Sequence, residues 1–314
     1  MVQLEYYAAV DIGGTNIKYG VVSEEGKAVS DFKTDTEAAK GGEHLIQKVT
    51  KAVASLLQEN FTISGICIST AGVVDPGTGC VVYANDNLPG YIGTNWKRTL
   101  TEHFHLPVSV CNDVHAAGAA EAWVGAGKGC RNFLCIAIGT GIGGCAFVDG
   151  HLFTGPHYRA LALGYMNTAG DGEIYEKKAS AAALVKKITL STSDGDVNGM
   201  NAFTRAKSGN PAYAECLDDW FDELAKGIAD AVFCFDPELI VIGGAVSKEG
   251  QPLLDRIHFS LERYVPEYFL SGIELKSAEC GNLAGMVGAV FNTVRFKQKK
   301  TCGGYDENSQ CSRL

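Results

Sequence analysis

Tyr6-Tyr7-Ala8-Ala9-Val10-Asp11-Ile12-Gly13-Gly14-Thr15-Asn16-Ile17-Lys18 opens the chain with an apolar run, a glycine-rich turn and the start of a second apolar run. The same pattern returns at Asn132-Phe133-Leu134-Cys135-Ile136-Ala137-Ile138-Gly139-Thr140-Gly141-Ile142-Gly143-Gly144. Tyr6 to Ile12 and Ile17 to Ser23 read as the strands of a hairpin around Gly13-Gly14-Thr15. Asn132 to Ile138 and Ile142 to Val148 read the same way around Gly139-Thr140-Gly141. A strand, not a helix, follows the second glycine run, so it is not a dinucleotide fingerprint. No Gly-Lys-Ser/Thr follows it, so it is not a P-loop. Two Gly-Thr hairpins, each leading into further α/β elements, predict two related α/β domains that face one another across a cleft.

Working outward, Ala28 to Lys33 reads as a third strand. Glu43 to Gln58 places Leu45, Ile46, Val49, Val53, Leu56 and Leu57 on one helical face. Ile63 to Ser69 is a buried strand, and residues 70–93 form a long functional loop around a short strand at 79–83. Trp96 to Phe104 reads as a helix, Val108 to Cys111 as a strand, and Val114 to Val124 as a helix of small residues. Residues 150–172 read as irregular, with helices near 174–189 and 200–208. Pro211 to Phe235 is the strongest helix, started by its proline and stopped by Asp236-Pro237. Glu238 to Ile242 is a strand ending in Gly243-Gly244, Ile273 to Lys276 the last strand, and Leu283 to Phe296 the last helix. The expected organisation is an N-terminal domain over 1–117 and a C-terminal domain over 118–298, whose last helix packs back toward the first. A polar, disordered tail is expected over 299–314.

The chain has 314 residues, 46% hydrophobic and 20% charged, enough for large cores without a metal or disulfide staple. A net charge of −9 argues against nucleic acid and against an anionic membrane surface. The 11 cysteines show no CxxC pair and no zinc spacing, and read as small buried hydrophobes in a reducing compartment. With no signal-peptide pattern at the start of the sequence and no unbroken apolar span, a cytoplasmic protein is expected.

Four motifs carry chemistry. In the first, glycines 13 and 14 let backbone N–H groups approach an anion, Thr15 adds a hydroxyl, and Asp11 at a strand end suits a water-held Mg²⁺. The same segment is also compatible with a plain hairpin turn beside an incidental Asp. The second, Gly139-Thr140-Gly141, repeats that design, and the pair reads as two jaws around one polyphosphate. The third is Leu239-Ile240-Val241-Ile242-Gly243-Gly244, whose glycines admit a flat base or ribose, or else form a strand-to-helix turn. The fourth is Cys111-Asn112-Asp113-Val114. Asp113 either caps the following helix or acts as a general base on a substrate hydroxyl, with Asn112 holding a neighbouring hydroxyl.

Together these motifs resemble the ROK family (repressor, open reading frame, kinase) of actin/Hsp70/hexokinase-like ATPases, over about residues 6–296 and in the family's order. The resemblance implies an α/β chain of two RNase H-like, actin-like ATPase domains with an interdomain cleft. It implies an ATP- and Mg²⁺-dependent sugar kinase acting on the 6-hydroxyl of a hexose or hexoside. Asp11, Gly13, Gly14, Thr15 and Lys18 match the first nucleotide segment, Gly139, Thr140 and Gly141 the second, and Gly243 and Gly244 the adenosine motif. Gly72, Asn87, Asn112 and Asp113 match sugar-contacting positions, with Asp113 the catalytic base. A homodimer is expected by the same resemblance.

The family's Gly-Glu-x-Gly-His segment is changed here. Ala162 stands at the Glu position, Tyr165 at the His position, and no cysteine follows in 167–180. No zinc is therefore expected, which resembles the zinc-free branch of β-glucoside kinases. Ala162 removes a charge-assisted contact, and Glu173 is the nearest acidic substitute in sequence. His157 lies in the loop leading to Ala162. The alternative readings are a ROK-type sugar- and nucleotide-binding protein with impaired catalysis, and a kinase for an N-acylated amino sugar. The family's repressors carry an added helix-turn-helix segment before the first phosphate motif, whereas ten residues precede Asp11 here.

Overall fold

The structure is a computed structural model that describes residues 4–85, 88–168, 170–199, 201–207 and 209–301. The chain divides into two compact units, Met1–Ala119 with Gly285–Leu314, and Ala120–Ala284.

The first unit is built on strands β1 (Tyr6–Ile12), β2 (Asn16–Ser23), β3 (Ala28–Asp35), β4 (Ile63–Thr70) and β7 (Val108–Asn112), in the order β3-β2-β1-β4-β7. A small hairpin, β5 (Val73–Asp75) and β6 (Cys80–Tyr83), lies in the loop between β4 and β7. Strands β1 to β3 form an antiparallel meander, and β4 and β7 run parallel to β1. Helices α1 (Gly42–Leu56) and α2 (Trp96–Phe104) bury Leu45, Val49, Val53, Trp96 and Leu100 in the same core as Ile12, Ile17, Ile66 and Ile68. Helix α3 (Asp113–Val124) carries the boundary between the units.

The second unit repeats the plan. Strands β8 (Phe133–Ile138), β9 (Ile142–Val148), β10 (His151–Phe153), β11 (Leu239–Gly244) and β12 (Glu274–Ser277) take the order β10-β9-β8-β11-β12. Again three consecutive strands are antiparallel and two later ones run parallel to the first. The duplication inferred from the two glycine turns is thus a duplication of whole sheets. Its helices are α4 (Tyr175–Ala179), α5 (Ala181–Thr192), α6 (Ala202–Lys207), α7 (Pro211–Phe235), α8 (Gln251–Leu261) and α9 (Glu267–Leu270). Helix α10 (Ala284–Thr301), whose residues from Gly285 onward belong to the first unit, ends the described chain.

Three differences from the sequence reading have local causes. Residues 150–172 contain β10, too short for a period-2 pattern to register. Helix α10 runs on through residues 299–301. The helix expected at 174–189 breaks at Ser180, which is extended (φ −72°, ψ 162°) and whose Oγ accepts from Ala183 N at 3.1 Å. Ser180 thereby starts α5 as its N-cap, and its carbonyl accepts from Trp220 Nε1 of α7 at 3.0 Å. Ser180→Ala is expected to cost about 1 kcal/mol of stability, read as a lower midpoint in urea.

Candidate active site

In the first unit the carboxyl ends of the parallel strands converge, the edge where α/β sheets place their ligands. Asp11 on β1 lies opposite Ser69 on β4, and Thr70 lies opposite Asn112 on β7. Ser69 Oγ donates to Asp11 Oδ1 at 2.8 Å, and Lys18 Nζ stands 3.8 Å from Asp11 Oδ2. Gly285 of α10 packs so closely on the Asp11 carboxyl that a side chain there would overlap it. That enclosure raises the Asp11 pKa, against the opposing pull of Lys18 and Ser69.

Asn112, not Asp113, is the cap of α3. Its Oδ1 accepts from Val114 N at 3.0 Å and His115 N at 3.1 Å. Its Nδ2 donates to Gly72 O and to Asp113 Oδ1, at 2.9 and 2.8 Å. Gly72 has a φ of +95°, which turns the chain after β4 so that its carbonyl reaches this amide. Asn112, expected to hold a hydroxyl, therefore has both ends of its amide committed within the protein, and what it holds is Asp113. Asp113 occupies the first helical position, with Oδ1 accepting from Asn112 and from Val114 N. Loss of hydration, and then the negative charge of Asp11, push its pKa up to about 7 despite those bonds. A carboxylate poised there is suited to accept a proton near neutral pH.

The first glycine turn projects from the same edge. Gly13 N closes it onto Asn16 O at 3.0 Å, and Thr36 Oγ1 donates to Gly13 O at 2.6 Å. Gly14 and Thr15 are exposed, and open space surrounds Gly14. Backbone N–H groups in an exposed glycine turn of this kind suit an anion. Asn87 lies outside the described residues.

The second unit brings its two glycine motifs together. Gly244 at the end of β11 pairs in register with Ile138 at the end of β8, one residue before the Gly139-Thr140-Gly141 turn. Gly139 N closes that turn onto Gly141 O at 2.9 Å, Gly139 is open above, and Thr140 is exposed. Sequence reasoning missed Glu176 of α4, whose Oε2 accepts from Ile142 N at 3.4 Å and fills the space against Gly141 and Gly164. No spacing pointed to it, because the contact joins segments 34 residues apart. Ala162 is exposed at the start of a short 3₁₀ turn, Leu163–Tyr165, and His157, Tyr165 and Glu173 are also exposed. Among the described residues no group of three or more His, Cys, Asp or Glu side chains is arranged to hold a metal ion. Among the described residues no helix is long and apolar enough to cross a membrane.

Two sheets of this order, each ending in a glycine turn, define the two-domain actin-like ATPase fold. The ROK family pattern matches residues 7–293, and the chain belongs to that family. It is 39% identical to an uncharacterised protein of Clostridium perfringens, over 91% of this chain and 97% of the relative. It is 29% identical to a β-glucoside kinase of Listeria innocua, over 93% of this chain and 98% of the relative. Among solved structures, a ROK family glucokinase from Streptomyces griseus in complex with glucose and AMPPNP superposes with a TM-score of 0.82. The identity is 29%, and the match covers 94% of this chain and 100% of that one.

Proposed function

We propose that this chain, a sugar kinase of the ROK family, transfers the γ-phosphoryl group of ATP to the 6-hydroxyl of a glucose- or β-glucoside-like hexose, with Asp113 as general base. The observation that carries this reading is the Asp113 carboxylate, oriented by Asn112 and with a pKa pushed up to about 7. The sugar hydroxyl would give its proton to Oδ2 of Asp113, the oxygen opposite the one held by Asn112 and Val114. The deprotonating oxygen would then attack phosphorus in line with the departing ADP. Asn112 and Gly72 act by fixing the carboxylate, and Gly72 and Asn87 complete the proposed sugar positions.

The residues present fit the nucleotide. The amides of Gly14 and Thr15 and those of Thr140 and Gly141 offer donors for phosphate oxygens, with the Gly13 and Gly139 amides closing the two turns, and Lys18 adds a cation. Gly243 and Gly244 leave a flat backbone surface for the adenosine. The residues also fit a magnesium ion. Asp11 and Asp113 are neighbouring carboxylates whose pKa values are both raised, and a cation relieves that strain. Asp11 would hold it through water, and when bound it neutralises charge on the phosphates.

A coupled ADP-release assay over hexoses, N-acylated amino sugars and β-glucosides tests the reading. Sugar-dependent turnover on at least one hexose or hexoside is expected. Nucleotide binding without turnover on any of them would favour an impaired binder, and turnover only on amino sugars would move the substrate class. Ala162 supports a second test. Restoring a carboxylate by Ala162→Glu is expected to tighten glucose binding roughly tenfold to a hundredfold, the usual worth of a charge-assisted hydrogen bond. An unchanged KM for glucose would remove residue 162 from the sugar site.

A further inference from the structure

Tyr91 belongs to no strand or helix, yet it is among the largest fully buried side chains, at 1% exposure. Its hydroxyl accepts from Trp96 Nε1 at 2.8 Å and is hydrogen-bonded to Thr70 Oγ1. Trp96 and Thr70 are both fully buried. Thr70 is the last residue of β4, flanked in register by Ile12 of β1 and Asn112 of β7. The Tyr91 hydroxyl is thus tied to the strand end that lies between the one bearing Asp11 and the one leading into Asp113. The Asp113 charge reaches it: burial first, then Thr70, Trp96 and that charge, leave the phenol with a pKa of about 12, a permanent proton carrier at working pH.

The backbone on either side is held as firmly. Gly42 at the start of α1 approaches Gly90 so closely that a β-carbon there would sit 2.5 Å from Gly90 O. Beyond Tyr91, Gly93 N donates to Val81 O at 2.8 Å and Thr94 N to Tyr91 O at 3.1 Å. Leu88, Tyr91 and Trp96 join the core of the first unit. A loop that runs into so dense an anchor takes its position from that anchor.

We propose that Tyr91 is a positioning residue for the sugar: through the Trp96–Tyr91–Thr70 hydrogen-bonded chain it fixes the segment Leu88-Pro89-Gly90 relative to the Asn112–Asp113 pair. This rests on the sugar-kinase reading above. The hydroxyl touches no substrate atom and does no proton transfer. It acts through the loop, so its removal loosens sugar binding and leaves the nucleotide side untouched.

The test is steady-state kinetics with the best sugar of the panel, varying each substrate at saturation of the other, on Tyr91→Phe, Thr70→Val, Thr70→Ser and the double variant Tyr91→Phe/Thr70→Val. Tyr91→Phe and Thr70→Val are each expected to raise the sugar KM by roughly 5–30-fold, since Thr70→Val breaks the buried Thr70–Tyr91 bond and Tyr91→Phe breaks that bond together with the one from Trp96. The KM for ATP should stay within about twofold of wild type. Thr70→Ser keeps the hydroxyl and should restore the sugar KM. The double variant should be no worse than Tyr91→Phe alone, because the Thr70–Tyr91 link is already cut in that variant. If Tyr91→Phe folds poorly, the contrast between Thr70→Val and Thr70→Ser decides alone. A sugar KM unchanged in Thr70→Val, or KM values for both substrates rising together, overturns the proposal. Asp113→Asn keeps the two ideas apart. If it abolishes turnover while the tether variants leave the sugar KM unchanged, only the tether fails; if it stays active, the base assignment fails first.

Discussion

Asp113→Asn is expected to lower kcat by about 10²–10⁴, the usual worth of a general base, while ATP affinity measured by calorimetry stays near wild type. The substitution is close to isosteric, and the new amide oxygen can still accept from Asn112 Nδ2 and Val114 N, so the local architecture survives. In the wild type, log kcat/KM should rise with pH along a limb centred at about 7, because only the ionised carboxylate accepts the proton. In the variant that limb should vanish. Stability should move the opposite way. The unfolded Asp113 releases its proton near its ordinary value of 3.8 and the folded one only near about 7, so the folded state holds the extra proton between those values. The wild type therefore loses stability as pH rises through that window, and above it bears the full cost of an enclosed charge beside Asp11. Asp113→Asn removes that cost. Its melting temperature should exceed wild type by roughly 3–8 °C at pH 8 in the apo protein, with the gap closing toward pH 4. A variant that is inactive but not stabilised at pH 8 would mean that the carboxylate is not strained, and the poised-base argument would lose its physical ground.

The residues that make up this site differ in how readable they are. The two glycine turns and the Asn-Asp pair stand out because each joins an apolar run to residue types that suit anions or proton transfer. The hairpins around the turns follow from local alternation. The proximity of Asp11 to Asp113 does not. It depends on β4 inserting between β1 and β7 as a parallel strand, a long-range register that no local pattern encodes. The same holds for Tyr91 and Thr70, and for Glu176 under the second turn. Asn112 has a second role that its chemistry offers: an Asn before a helix of small residues is a cap, and the capping bonds take its amide oxygen. Helix α8 was overlooked although Leu253, Leu254, Ile257 and Leu261 are buried along one face. Pro252 in its first turn is the same start signal that marks α7. Strand β10, of three residues, is too short to show a period and is recognised only by its partner β9, whereas β12 falls one residue from the strand read at Ile273 to Lys276.

Gly244→Val should be the most damaging single change in the second unit, and the reason is steric. Gly244 has a φ of +85°, a conformation that a β-branched residue adopts only under strain. A β-carbon there would overlap the backbone of Ile138 on β8, its carbonyl oxygen first. Neither strand can yield cheaply, since β11 is paired to β8 on one side and to β12 on the other. The expected cost is about 3 kcal/mol or more, combining backbone strain with overpacking. Ile138 leads directly into the Gly139-Thr140-Gly141 turn, so any shift that relieves the overlap displaces the proposed phosphate donors. Fluorescence titration should then show ATP affinity reduced by more than about tenfold, because misplaced donors lose well over 1.4 kcal/mol. Gly243→Ala is the discriminating control for folding. The added methyl would meet the Ala278 β-carbon at 3.5 Å and the Ile136 carbonyl oxygen at 3.9 Å, both ordinary contacts, and the melting temperature should stay within about 2 °C of wild type. If both substitutions unfolded the protein equally, the demand for glycine would come from the flexibility of the whole turn. If Gly244→Val bound ATP as tightly as wild type, the register between β11 and β8 would have no part in shaping the nucleotide site.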